Sequence, residues 1–495
     1  MDLIIFLTLA FTFGGYTWIA FRHAPRTKTL ASLLPISAEK PHVGTEREFS
    51  NTTIATTISL ATVVLAIFEL FPYLKLWLLW TVVTTVMGLL LVRRFAKRIW
   101  HKMGQSGVRP SLHEFLGREY HSNSITIIGA TFTCLGFLGV LAVELTVGAR
   151  FLSSLVAGQP YLLWLVVIAA VIFISVGIGG YRSLVYAETL QMYSIYAFLA
   201  ALLGYLVYAI FANRHGNLQA VVSSGLLPID SPYAVVSFLL GIFFINVPAF
   251  VSDMSVWQRI AASDSEETVT RGLASSAVGS ALTWAVIVIL ALGTVSLVTA
   301  QEGVNPLFSL LEVIKHGGTI KHGVLIFIVI VGLLGAELSA ASTQLIAVAH
   351  AFYEDIWCKW KKPGLIRISD PKEVKILRGI ILVATVVTVL VVEGLTALGF
   401  SISDLVFAIF GAQLSLFPAV ALALSNRGKG LGVLTNWAST AITLGFVAGW
   451  GAAICGKIFA NGDLVFLSPV VSLGVSAAIL GLGRIIHRHE LRPAA

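Results

Sequence analysis

The chain has 495 residues, 57% of them hydrophobic and only 12% charged, with a formal net charge of +8. Soluble domains carry about one quarter charged residues, so a cytosolic enzyme is excluded, and the mean hydropathy of +0.88 agrees. Cys134, Cys358 and Cys455 supply neither a disulfide framework nor a zinc spacing, and the basic residues cluster between apolar runs, where nucleic acid is not their natural partner.

Apolar windows of about 20 residues, the length that crosses a bilayer core, recur along the whole chain. They fall near 2–21, 50–71, 75–92, 124–149, 161–179, 186–211, 233–251, 273–300, 323–353, 376–398, 401–423, 433–459 and 465–486. This pattern predicts an all-α polytopic membrane protein with about 13 transmembrane helices. The first window lacks a small-residue cleavage site and reads as a retained helix. With the N-terminus outside and the C-terminus cytoplasmic, only Lys75, Arg150, Arg214, Lys315, Lys321 and Lys457 of the 33 Lys and Arg lie outside. That is the expected positive-inside asymmetry, carried mostly by Arg93–Arg98 and by the segment Lys359–Arg378. The longest loops, 22–49 and 93–123, are too short for a catalytic domain with its own core. No phosphate-binding loop or kinase signature occurs, so energy for any transport comes from an ion gradient, a membrane potential or a partner.

Polar residues at membrane depth are costly, which makes them informative. The second span carries Ser50, Asn51, Thr52, Thr53, Thr56, Thr57, Ser59 and Thr62 and is expected to face the bundle. In the fourth, Glu144 reads as a structural partner of Arg150. The turn Gly179-Gly180 leads into Glu188 and Gln191 of the sixth. The seventh holds Phe243, Phe244, Asn246 and Pro248. Proline there fits either a plain kink or a discontinuous helix building a solute site, and Asn246 favours the second. The ninth span has Glu337, Ser339, Ala340, Ser342, Thr343 and Gln344. Ser339, Ser342 and Thr343 share a face at three- and four-residue spacing. They suit an oxygen cage for a hard cation, and equally a close helix–helix contact. Two readings fit Glu337. It is a protonatable coupling group, since burial disfavours the charged form, or it faces water or pairs with an Arg.

Several segments, in order, resemble the solute:sodium symporter family along nearly the whole chain. They are Ser111-Leu112-His113-Glu114-Phe115-Leu116-Gly117-Arg118, the Gly179-Gly180 turn with Glu188 and Gln191, Asp253 to Arg259 followed by Ala261-Ala262, and the ninth span through Glu354-Asp355-Ile356. The resemblance implies a leucine-transporter-like fold with a 5+5 inverted-repeat core. It divides the chain into an N-terminal helix and loop (1–49), a first five-helix repeat (50–211), a second (233–423) and two C-terminal helices (433–495). Carried over residue by residue, it implies a cation site at Ser339, Ser342, Thr343 and Glu188; Glu337 is not typical at its position, which leaves proton coupling through Glu337 or Glu188, or loss of coupling, beside sodium. Ala340 replaces a hydroxyl ligand of the common sodium site, and the second span lacks the glycines usual at its break.

The function expected is secondary active transport, not enzymatic. A small polar organic solute is imported with sodium, or with protons, by alternating access. Solute contacts are expected from Phe243, Phe244, Asn246 and Gln413, between spans two, four, seven and eleven. No cofactor, nucleic acid or obligate protein partner is implied. The ligands are the coupling ion and the solute, with no metal site beyond that for sodium, and the location is the bacterial inner (plasma) membrane. The alternatives are a solute sensor signalling through a partner and an uncoupled facilitator.

Overall fold

A computed structural model describes residues 2–104, 107–156, 158–212, 225–227, 232–298, 304–317, 319–361, 370–397, 401–426 and 431–490. Part of the basic segment Lys359–Arg378 lies outside them. Helices dominate, and among the described residues the β structure is confined to two isolated bridges, Ser37 with Val108 and Val43 with Ser263.

The principal helices are α1 (Asp2–His23), α2 (Glu46–Thr57), α3 (Ala66–Leu74), α4 (Leu79–Met103), α5 (Leu112–Glu119) and α6 (Asn123–Leu155). Next come α7 (Tyr161–Phe173), α8 (Gly180–Ala212), α9 (Pro232–Asn246), α10 (Met254–Ala262), α11 (Glu266–Leu297) and α12 (Ile320–His350). The last are α13 (Pro371–Ala397), α14 (Ile402–Gln413), α15 (Phe417–Ser425), α16 (Thr435–Ile458) and α17 (Ser468–Ile486). Many starts are fixed by a side-chain cap that satisfies an orphan backbone N–H. Ser111 accepts from Glu114 N, Ser265 from Thr268 N, and Ser401 from Asp404 N.

Among the described residues, eleven segments are long and apolar enough to cross a membrane. Two of them, Leu60–Met103 at 44 residues and Tyr161–Ala212 at 52, are about twice the length of one crossing and each covers two of the thirteen sequence windows. Each is interrupted by a residue in the left-handed region, Lys75 with φ 45° and Gly180 with φ 74°. Glycine is required at 180, where a Cβ would also press on the Ser32 carbonyl oxygen at 2.8 Å.

Burial ranks the helices. The apolar window of Ile320–Lys361 is 72% buried, against 28% for those of α1 and α17. α12 therefore sits at the centre, packed on α8 and α6, while α11 packs on α2 and α4. α1 turns Leu3, Phe6, Leu7, Phe11 and Trp18 outward, as a lipid-facing helix does.

The segment between α1 and α2 is pinned to the end of α10. His42 and Val43 N–H groups donate to the Ala262 carbonyl at 2.8 and 3.0 Å, and Arg109 Nη1 donates to Ser263 O at 2.8 Å. His42 Nε2 lies 2.9 Å from the Ala31 carbonyl oxygen, and burial pushes its imidazole down from the ordinary 6.5 to about 4. The unfolded chain thus binds more protons between these values. The stabilisation is complete above pH 6.5 and is lost as pH falls towards 4, to a ceiling of about 3 kcal/mol. Thermal unfolding of the purified protein is expected to shift down over that window. His42→Gln, which keeps a donor for Ala31, should flatten the pH dependence, and an unchanged slope would show that other groups control it.

Candidate functional site

Two helices in the core are interrupted, for different local reasons. After Asn246, Pro248 has no N–H to continue α9, and a 3₁₀ turn over Ala249–Ser252 leads to Asp253, which caps α10 by accepting from Ser255 N and Val256 N. In the second span α2 stops at Thr57. Ile58 and Ser59 are non-helical, and a π-helical turn over Leu60–Leu65 follows. No glycine is needed, because Ser59 adopts extended backbone (φ −83°, ψ 149°) open to any residue. Ser59 caps the resumed helix by accepting from Thr62 N at 2.8 Å.

The second partner at that break is Glu144 of α6. It accepts a hydrogen bond from Ser59 Oγ and another from Ala61 N at 3.2 Å. The expected Glu144–Arg150 pair is therefore not formed, and Arg150 is exposed. Six residues along a helix is about 600°, which puts the two side chains on different faces. A carboxylate at a helix N-terminus satisfies orphan N–H groups and complements the helix dipole.

The hydroxyls of α12 face inward. Ser339, Ser342 and Thr343 are buried, Thr343 Oγ1 donates to Glu188 Oε1 of α8 at 2.5 Å, and Ser339 Oγ has no partner. Arg259 of α10 is buried beside them, its Nη2 4.0 Å from Glu188 Oε1. That nitrogen also donates to Thr56 Oγ1, and Nη1 donates to the Ser255 carbonyl at 3.2 Å. The structure thus joins Thr343 to Glu188 and puts Ser339 one turn away on the same helix. The hydroxyl and carboxylate oxygens are the chemistry that hard cations take. The Asp253–Arg259 motif marks Arg259 in the sequence, but only the fold brings its guanidinium to the acid.

Glu337 is buried too, and neither carboxylate oxygen has a partner. It does not line the cavity between the second and seventh spans, and among the described residues no Arg or Lys pairs with it. Its carboxylate lies against Gly148 of α6, where a Cβ would overlap it.

A cavity of about 150 Å³ runs between the second and seventh spans, α4, α11 and α14. Thr56, Thr57, Asn246, Asp253, Arg259 and Trp284 are among its polar groups, and Ile242, Phe238 and Phe407 form part of its apolar wall. Asn246 Nδ2 donates to Thr84 Oγ1 at 3.0 Å, and the Trp284 indole N–H is buried without a partner. Three of the expected solute contacts lie off this cavity. Phe243 and Phe244 are not among the lining residues; they pack edge-to-face on each other with centroids 5.3 Å apart. Helical spacing turns Phe238, Ile242, Ile245, Asn246 and Ala249 to the cavity instead, a three- and four-residue repeat that could have been read from sequence. Gln413 is also off the cavity, its side chain lying against Gly136. The fourth span does not line it, whereas α4 and α11 do. The approach of α4 to the seventh span depends on Gly88, where a Cβ would overlap the Asn246 carbonyl oxygen.

On the side of the 22–49 loop, the segment Ser111–Arg118 is tied to the end of α12. Ser111 Oγ donates to Asp355 Oδ1 at 2.6 Å, and His113 Nδ1 is 2.8 Å from Oδ2. Beside it Gln258 Nε2 meets His350 Nδ1 at 2.9 Å, and His350 Nε2 meets Glu354 at 2.6 Å. Glu114 is exposed enough to pair with Lys359 and Arg118. Burial raises its carboxyl, but those two cations outweigh it and hold it below the ordinary range.

No protein-family model matches the chain, and no curated protein does. Solved structures are similar. A Na⁺-coupled sialic acid symporter in a substrate-bound outward-open state superposes with a TM-score of 0.77 at 16% identity, covering 99% of each chain. Mhp1, a nucleobase-cation-symport-1 family transporter with bromovinylhydantoin bound in a closed conformation, gives 0.55 at 14% identity, over 92% of this chain and 96% of that one. The manganese transporter of Eremococcus coleocola gives 0.53 at 16% identity, over 90% and 95%. The fold is the leucine-transporter-like one that the sequence resemblance implies.

Proposed function

We propose that the chain is a secondary active transporter that imports a small polar organic solute with sodium by alternating access, without chemistry on the solute. The observation that carries this reading is the buried cluster of Ser339, Ser342, Thr343 and Glu188 beside two interrupted helices. Hydroxyl and carboxylate oxygens at this depth are expensive unless they hold something, and broken helices are where transporters of this fold build solute and ion sites. Sodium between Glu188 and the α12 hydroxyls would draw α8, α10 and α12 together, favouring one access state over the other. Coupling requires that differential affinity.

The solute would lie in the cavity next to Asn246. The Trp284 indole N–H is a buried donor awaiting an acceptor, and carbonyl or hydroxyl oxygens of a polar solute supply one. Arg259 and Asp253 both line the cavity, so a strongly charged solute meets no single unopposed sign there. Two five-helix repeats at 50–211 and 233–423 form the moving core in this reading. The N-terminus lies outside and the C-terminus in the cytoplasm of a bacterial inner membrane.

Uptake into proteoliposomes tests the proposal. A panel led by sialic acid, amino acids and hydantoins is offered under an inward sodium gradient, a proton gradient or neither. Sodium-dependent accumulation of one solute is the expected result. Equilibration that follows only the solute gradient would identify a facilitator instead, and absence of flux with retained binding would identify a sensor.

A further inference from the structure

A cavity of about 270 Å³ opens where α5 ends and α6 begins, and Lys359 closes one side of it. It shares no lining residue with the solute cavity. After α5 the chain turns at His121, which takes a left-handed backbone (φ 52°). That turn uses up acceptors. Gly117 O accepts from Ser122 N at 2.9 Å, Arg118 O from His121 N at 3.4 Å and Glu119 O from Leu431 N at 2.8 Å. Donors, in contrast, are left over. Ser122 stands at the N-cap of α6 but its side chain makes no cap bond, so the N–H groups of Asn123, Ser124 and Ile125 have no acceptor within the helix. Thr126 lines the cavity, is only 1% exposed, and its Oγ1 has no partner. Gly117 faces that hydroxyl, and a Cβ there would sit 1.9 Å from it. Arg118 and Lys359 bring two positive charges to the wall against one carboxylate, Glu114. Arg118 reaches Glu114 through Nε at 3.0 Å and Lys359 through Nζ at 2.5 Å, so among the described residues the Arg118 Nη groups stay open.

We propose that this cavity binds a phosphate group. The first-turn N–H groups of α6 and the Thr126 hydroxyl donate to its oxygens, while Arg118 and Lys359 balance its charge. Tetrahedral oxygens can accept from backbone, hydroxyl and guanidinium donors that arrive from several directions, and the net charge of the wall and the helix dipole both favour an anion. Two sources carry that chemistry, the phosphodiester of an anionic lipid and free phosphate. Depth suits the lipid. α6 has 33 residues and is about 50 Å long, against a core of about 30 Å and about 40–45 Å with the headgroups, so its ends reach headgroup level. Leu135, about three turns further along α6, is exposed as a lipid-facing residue is. A bound phosphate would join the start of α6 to Lys359 beyond the end of α12, bracing the two helices where Ser111 and His113 already hold Asp355. None of this depends on the transporter reading.

Thermal unfolding of the full-length protein tests the site in two arms. One uses phosphatidylcholine nanodiscs with graded phosphatidylglycerol; the other uses detergent-purified protein titrated with inorganic phosphate against chloride at matched ionic strength. Each variant is read as a shift from its own baseline without the anion. Wild type is expected to be stabilised saturably, and a response to phosphatidylglycerol alone assigns the lipid, whereas a response to inorganic phosphate assigns the free anion. Arg118→Gln should raise the half-saturating amount roughly tenfold and Thr126→Val roughly threefold, with Thr126→Ser restoring the wild-type response. Arg271→Gln, which breaks a comparably exposed i,i+4 pair with Glu267 at the start of α11, should respond as wild type. A hydroxyl at 126 with only a structural role would lower the baseline and leave the shift intact. No stabilisation in either arm, or an undiminished shift in both Arg118→Gln and Thr126→Val, would overturn the proposal.

Discussion

Replacing Glu188 by Gln is expected to abolish solute accumulation and to weaken sodium-dependent stabilisation, from a lower starting stability because the buried Arg259 guanidinium loses its counter-charge. The substitution keeps the side-chain volume and an acceptor for Thr343 Oγ1, which lies 2.5 Å away, and removes only the charge. A buried cation held by neutral hydroxyls and one carboxylate loses most of its attraction with that carboxylate. A loss of about 3 kcal/mol corresponds to roughly 100-fold in sodium affinity. Thr343→Val, which deletes one hydroxyl and keeps the shape, should cost roughly 10-fold. The measurement is the shift of thermal unfolding with sodium concentration, read against choline as the inert cation. Binding to the folded state raises stability logarithmically with ligand, so a weakened site moves the curve to higher sodium without changing its form. A Glu188→Gln protein stabilised by sodium as strongly as wild type would move the cation site away from α8 and α12.

The lipid-crossing windows and the inward hydroxyl face of α12 were legible because both are periodic and local. Proline marks the break after Asn246 for a similarly local reason, the missing N–H. The break at Ile58–Ser59 was not legible in the same way. It is held by Glu144, contributed by a helix more than 80 residues away, as well as by the Ser59 cap. Glu144 is near Arg150 in sequence, but helical phase turns it away from Arg150 and towards Ser59 and Ala61. Phe243 and Phe244 stand next to the proline in sequence but off the cavity, which is lined at the helical phase of Ile242, Ile245 and Asn246. The approach of Arg259 to Glu188 is a purely tertiary fact, which a motif can label but not place.

That approach carries the second large effect. Arg259 and Glu188 are both almost entirely buried, and their charged groups are 4.0 Å apart. In the absence of sodium the guanidinium is the positive charge that opposes this carboxylate. Removing one member of a buried pair leaves the other uncompensated, at about 3–5 kcal/mol. Arg259→Leu is therefore expected to be strongly destabilised in choline buffer. Sodium should recover much of the loss, giving a thermal shift larger than that of wild type. The guanidinium and sodium compete for one carboxylate, so taking away the tethered cation should also raise the affinity for the free one. Arg259 also holds Thr56 and the Ser255 carbonyl, so part of any loss could reflect those bonds. The double variant Arg259→Leu with Glu188→Gln separates the two contributions, since it removes the stranded charge but not the lost hydrogen bonds. Recovery of stability in the double variant assigns the cost to Glu188. Equal instability in single and double variants, with no enlarged sodium shift, would reduce Arg259 to a brace between α10 and α2 and end its role in the coupling.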